Sequence, residues 1–180
     1  MSYKYTVETY YVDIPVEEYI KRFRDEKKFL KLCEVCPNYG NSWSCPPFDF
    51  DTEKVLRSYR YAHLIATKII PVAKDIPIED SQKLIRPERI RIEKEILEME
   101  RKSGGRGFAY IGECLYCKAG TCTRKCGKPC LHPDMVRPSL EAFGFDIVLT
   151  LKELFGMEIL WGKDGTVPEY LILVTACFHN

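Results

Sequence analysis

Apolar positions recur every second residue near the two ends of the chain and every third or fourth residue through much of the middle. Tyr3 to Asp13, YKYTVETYYVD, is dense in Tyr, Thr and Val and predicts a strand. Ile14-Pro15 leads into a helical pattern over Val16 to Phe23, in which Tyr19, Ile20 and Phe23 share one face. A second short helix, Glu26 to Leu32, delivers the chain to Cys33. The next stretch, CEVCPNYGNSWSCPPFDFD, is rich in Asn, Gly and Pro and predicts a folded loop.

Thr52 to Ser58 predicts a short helix capped by Asp51 or Thr52, and Ala62 to Val72 an apolar strand buried on both faces. After a Pro-containing loop, Glu88 to Lys102 carries strong helix formers with Ile92, Ile96 and Met99 at helical spacing. Ser103-Gly104-Gly105 ends it. Gly107 to Gly112 predicts a strand leading to Cys114; the glycines before it follow a helix and precede a strand, so they form a cap and turn, not a phosphate loop. Pro138 to Phe143 and Asp146 to Phe155 predict helices closed by Gly144 and Gly156. Met157 to Trp161 and Tyr170 to Phe178 predict strands joined around Lys163-Asp164-Gly165. This alternation predicts one layered α/β or α+β domain over residues 1–180, a central mostly buried sheet with flanking helices and two long cysteine-rich loops.

Composition narrows the partners. The 180 residues suffice to bury a core without staples, so metal is expected to serve more than folding. The net charge of +1 and the mixed signs between Glu88 and Lys102 offer no single-sign face, so neither nucleic acid nor a membrane surface is expected as partner. No basic start precedes an apolar run and no segment approaches the length of a membrane span, which predicts a soluble, cytoplasmic protein. In a reducing compartment nine cysteines, an odd number, favour thiolate ligation over disulfides.

Eight of those cysteines form two groups. Cys114-x2-Cys117-x4-Cys122, with Cys130 further on, offers four thiolates from one loop, as a 4Fe-4S cluster requires. Cys33-x2-Cys36-x8-Cys45 offers three, so its fourth position is either supplied from elsewhere, with Cys126 available, or left open for water or substrate. One or two clusters are expected. Zinc is the alternative, since Cys33, Cys36, Cys114 and Cys117 together could make a four-thiolate site across the loops.

The strings LCEVCPNYGNSWSCPPF (residues 32–48) and GECLYCKAGTCTRKCGKPCLHPDMVRPSLEAFGFDI (residues 112–147) resemble an uncharacterised cysteine-rich family of prokaryotic predicted metal-binding proteins, a domain of unknown function. The resemblance implies a metal-binding role for Cys33, Cys36, Cys45, Cys114, Cys117, Cys122 and Cys130, and leaves Cys126 outside the pattern. It further implies an iron–sulfur centre in anaerobic prokaryotes, with no established reaction.

Lys118, Arg124, Lys125 and Lys128 lie in the second loop with no acid among them, while Glu34, Asp49 and Asp51 surround the first. Positive charge favours a reduced cluster, so the second loop is expected to hold the centre of higher potential; a solvated basic loop is the simpler alternative. Tyr39, Trp43, Phe48 and Phe50 are read as anchors of the first loop. His132 fits a turn better than a ligand, and His63 and Cys177 are read as buried core and His179 as a disordered tail. Glu141 is read as a helix-surface charge, with a general base beside the second loop as the alternative. These features predict an iron–sulfur redox module that exchanges electrons with a partner protein or small molecule. A zinc-stabilised interaction domain and an enzyme with an open metal position at Cys33, Cys36 and Cys45 are the competing readings.

Overall fold

A computed structural model describes residues 3–109, 112 and 114–180. Strand β1 (Tyr5–Pro15) pairs antiparallel with β2 (Tyr61–Pro71) along its whole length, from Tyr5 opposite Pro71 to Pro15 opposite Tyr61. β2 pairs with β4 (Leu171–His179), and β4 with the short β3 (Arg106–Phe108), giving the antiparallel order β1-β2-β4-β3. The fold is therefore α+β.

Period-two alternation assigns the two faces. Ala62, Leu64 and Ala66 of β2 and Val174, Ala176 and Phe178 of β4 face one core, with Tyr19, Ile20 and Phe23 of α1 (Val16–Phe23) and with Leu140, Phe143, Phe145 and Leu151. Ile65, Ile69 and Leu173 face the other, under Leu84, Ile92 and Ile96 of α4 (Ser81–Ser103). Helix layers on both sides explain why the middle of β2 is buried on both faces, as its sequence predicts. β1 is an edge strand with most of its side chains in solvent. His63 is not core: it is half-buried on β2, hydrogen-bonded to Asp13 at 2.7 Å and stacked on Tyr11. Cys177 is buried, as read.

The other helices are α2 (Glu26–Glu34), α3 (Thr52–Leu56), capped by the Asp51 side chain, and α5 (Ile147–Thr150), which widens into a π-helical turn over Leu151–Phe155. α4 starts well before the predicted Glu88, although Pro87 lies inside it. Leu84 is fully buried and falls four residues before Glu88 and eight before Ile92, so packing of that face extends the helix against the local cost of proline. Gly104, at φ +63°, closes it.

Three predicted elements differ. Pro138 to Phe143 is a single 3-10 turn, Glu141–Phe143, because the Pro138 carbonyl accepts from the Ala109 amide and the Ser139 hydroxyl from the Ala142 amide. Met157 to Trp161 forms no strand. The Asp164-Gly165 turn is present with both φ positive, but it closes one bridge, Lys163 with Thr166, while the backbone of residues 165–167 bonds instead to residues 76–78. The strand predicted over Gly107 to Gly112 is realised at Arg106–Phe108; its end at Tyr110 and Ile111 lies outside the described residues.

Candidate metal centre

The first cysteine loop leaves from α2, whose Asp25 cap accepts from the Lys28 amide at 3.0 Å. The start of α2 presses against the turn ending at Gly144. A Cβ on Gly144 would stand 2.7 Å from the Glu26 Cα, and φ is +89°, so glycine is required. The Asp25 amide bonds the Gly144 carbonyl at 2.8 Å. Cys33 lies seven residues after Glu26, on the same helix face, and this contact sets it beside the Glu141–Phe143 turn. Past α2 the loop folds on itself through Cys36 N–H to Cys33 O (2.9 Å), Gly40 N–H to Pro46 O (2.8 Å) and Cys45 N–H to Ser42 O (3.1 Å).

Cys33, Cys36 and Cys45 line one cleft of about 170 Å³, with Ser139 and Glu141 in its wall. Cys45 is buried, Cys33 half-buried and Cys36 exposed. Burial pushes the Cys33 thiol above its ordinary value, and Cys45, Cys36 and Glu141 add to the effect. Glu141 is exposed at the wall of the cleft, with protein close enough to its carboxyl to strip part of its water. That desolvation raises its pKa, against a hydrogen bond from Ser139. Glu141 is an exposed charge on a short 3-10 turn, as read, and it lines the first cleft and not the second.

Cys114, Cys117, Cys122 and Cys130 line a second cleft of about 70 Å³. Cys126 lies outside both clefts, exposed at the end of the 3-10 turn Thr123–Cys126, which Gly127 closes at φ +63°. Lys118 and Lys125 line the second cleft. Lys128 is exposed, and its backbone carbonyl accepts from the Trp43 indole at 3.2 Å. Trp43, Asn41 and Ser42 of the first loop also wall the second cleft, and Asn38 lines both. Trp43 therefore belongs to the neighbouring site, whereas Tyr39 lines its own cleft and Phe48 and Phe50 anchor their loop by packing on Phe143.

The loops are cross-braced. Arg124 donates to the carbonyls of Ser42 (2.7 Å), Cys45 and Pro47, with its guanidinium 5.1 Å above the Trp43 ring. Asn38 donates to Gly112 O at 3.2 Å. The reading of the basic residues as solvated charge holds for the exposed lysines and fails for Arg124.

Beside Cys114 and Tyr116, α4 carries charge inward. Arg89 and Glu93 are buried, with their charged groups 3.8 Å apart. Desolvation raises the Glu93 pKa despite a hydrogen bond from Tyr116, and burial followed by Glu93 raises that of Tyr116. Burial also pushes the Cys114 thiol up. Arg137 forms a two-pronged pair with Glu100 at 2.6 and 2.5 Å and donates to the carbonyls of Asp134 and Val136, fixing the end of the second loop to α4. The i, i+4 spacing of Arg89 and Glu93 was the available sequence signal, hidden because both are charged. His132 opens the turn at residues 132–136, its amide 3.4 Å from the Cys130 sulfur, and lines neither cleft. His179 is the last residue of β4 and not a loose tail.

The cross-loop set Cys33, Cys36, Cys114 and Cys117 is not assembled, since each pair lines its own cleft. Among the described residues, no three His, Cys, Asp or Glu side chains stand ready to grip a bare ion, and no helix is long and apolar enough to cross a membrane.

A family model described as predicted metal-binding protein (DUF2284) matches residues 20–175. The chain belongs to this family. The match runs from α1 into β4 and takes in both clefts with all seven cysteines that line them. It bears out the resemblance carried by the two cysteine strings. No curated protein and no solved structure matches the chain. A DUF2284 protein is thus predicted to bind metal, and the family's description gives no metal identity or reaction.

Proposed function

We propose that the two clefts hold iron–sulfur clusters and that the protein passes single electrons to or from a redox partner or a small substrate. The sorting of seven cysteines into adjacent clefts of four and three carries this reading. Thiolates are the soft donors that iron–sulfur clusters require, and the second cleft supplies four from one loop. When bound, such a cluster would store or release one electron at a time.

The chain's own residues are suited to that task. Arg124, Trp43 and Asn38 brace the two loops by direct contacts, so the chain itself supplies part of what a zinc staple would otherwise do. Lys118 and Lys125 place positive charge at the second cleft, and Glu141 negative charge at the first. This asymmetry sets the second centre at the higher potential. Asn38, common to both walls, marks where the clefts adjoin.

The test is anaerobic purification from iron-replete cells, analysis for iron, zinc and acid-labile sulfide, and electron paramagnetic resonance of the reduced protein. Iron with matching sulfide is expected. Cys36→Ser should remove the signal of one centre, and Cys117→Ser with Cys122→Ser that of the other. Zinc without sulfide overturns the reading.

A further inference from the structure

The first cleft offers three thiolates, one fewer than the irons of a four-iron cluster. We propose that Glu141 supplies the fourth ligand there through a carboxylate oxygen, so that the protein carries one all-thiolate site and one with a single carboxylate-bound metal. This rests on the iron–sulfur reading above.

Position carries the inference. Glu141 is the one carboxylate among the described residues lining the cleft with Cys33, Cys36 and Cys45. The other candidates are placed elsewhere: Cys126 is exposed outside the cleft, and His132 sits beside Cys130 and Tyr116. The Ser139 hydroxyl already accepts from the Ala142 amide at the wall of the same cleft.

Glu141 is also held at a fixed offset from Cys33. Gly144 admits the Glu26 backbone, the Asp25 amide bonds the Gly144 carbonyl, and Arg24 Nε donates to the Phe143 carbonyl at 2.8 Å. These contacts join the Glu141–Phe143 turn to both ends of the α1–α2 junction. The sequence joins them nowhere, since Cys33 and Glu141 stand more than a hundred residues apart.

Charge points the same way. Three thiols and a carboxyl that lose their protons on ligation would place negative charge against a metal centre, and among the described residues no lysine or arginine lines the cleft. A metal centre supplies the missing positive charge. A carboxylate is a harder and less tightly held ligand for iron than a thiolate. The Glu141-bound metal is therefore the position that a small oxygen- or nitrogen-donor molecule could enter, turning the apparently open site into one with an exchangeable ligand.

The experiment compares wild-type protein with Glu141→Ala, Glu141→Gln, Glu141→Cys and Cys126→Ser, all purified anaerobically. Iron and sulfide are counted, and resonance spectra are recorded through a redox titration. The alanine and glutamine variants are expected to lose about one iron per chain and to change only the signal that Cys36→Ser abolishes. The cysteine variant restores the iron with a shifted first-centre wave, and Cys126→Ser matches wild type. Retention of the second-centre signal shows that a variant is folded, and glutamine keeps the side-chain volume. Wild-type iron content and line shape in both Glu141→Ala and Glu141→Gln overturn the proposal, as does iron loss in Cys126→Ser. Wild-type protein lacking sulfide would instead remove the iron–sulfur reading on which it stands.

Discussion

Arg124, on the turn of the second cysteine loop, donates to the backbone carbonyl of Cys45, the buried thiol of the first. The same guanidinium reaches Ser42 and Pro47, so one side chain sets the spacing of the two loops. Arg124→Ala should destabilise the protein by about 2 kcal/mol, the scale of charge-assisted hydrogen bonds, and speed iron loss to a chelator from both centres. Arg124→Lys should rescue little, because an ammonium cannot span three carbonyls as a planar fork does. Chemical denaturation and the kinetics of iron release check this.

Gly144→Ala places a methyl group 2.7 Å from backbone, not from a yielding side chain, and at positive φ. A cost of about 2 kcal/mol or more is expected. Since Gly144 aligns α2 with the Glu141 turn, the first centre should be lost before the second. Resonance spectra of the purified variant would show it, and equal loss of both signals would count against the alignment.

The Glu100–Arg137 pair gives a pH signature. Burial works to raise the Glu100 pKa, but Arg137 and the Gly107 amide outweigh it and hold the carboxyl below its ordinary value. A depressed carboxyl pKa contributes stability that is present above the unfolded value, about pH 4, and is lost as pH falls through the folded one. Thermal melts between neutral pH and pH 3 should show a falling midpoint for the wild type. In Glu100→Gln the midpoint should start lower and fall less.

Charge at the second cleft is testable apart from ligation. Lys118→Glu with Lys125→Glu should lower the potential of the second centre, by less at high salt, because both lysines are solvent-exposed. The first wave should stay within error. A titration in which neither wave moves would remove the electrostatic assignment.

Alkylation of the metal-free protein should rank the thiols. Cys126 and Cys36 are exposed and should label first. Raised pKa values at Cys33, Cys114 and Cys177 mean less thiolate at a given pH, so their labelling should need more alkaline conditions than free cysteine. Peptide mass spectrometry over a pH series gives the order.

The chain carries its strands and its cysteine groups openly. β1, β2 and β4 were legible because β-branched and aromatic residues are concentrated where backbone pairing needs them. The helices α1 and α2 were legible because their apolar spacing is local. The 3-10 turn at Glu141–Phe143 was not, because its shape follows from a bond between Pro138 and Ala109 that no local pattern records. The early start of α4 was hidden by Pro87, whose local cost is outweighed only once Leu84 meets the sheet.

The site divides the same way. Spacing alone separated Cys114, Cys117, Cys122 and Cys130 from Cys33, Cys36 and Cys45, since ligands on one short loop can converge without help from the rest of the fold. It also identified the second loop as basic. Which residue completes the neighbourhood of the first group, and what ties the loops together, depends on contacts between distant segments. Glu141 against Cys33 and Arg124 against Cys45 exist only once the sheet, α2 and the 140–145 segment have packed. Sequence determined the thiols on offer, because side-chain chemistry belongs to the residue; tertiary structure decided their company, because proximity belongs to the fold.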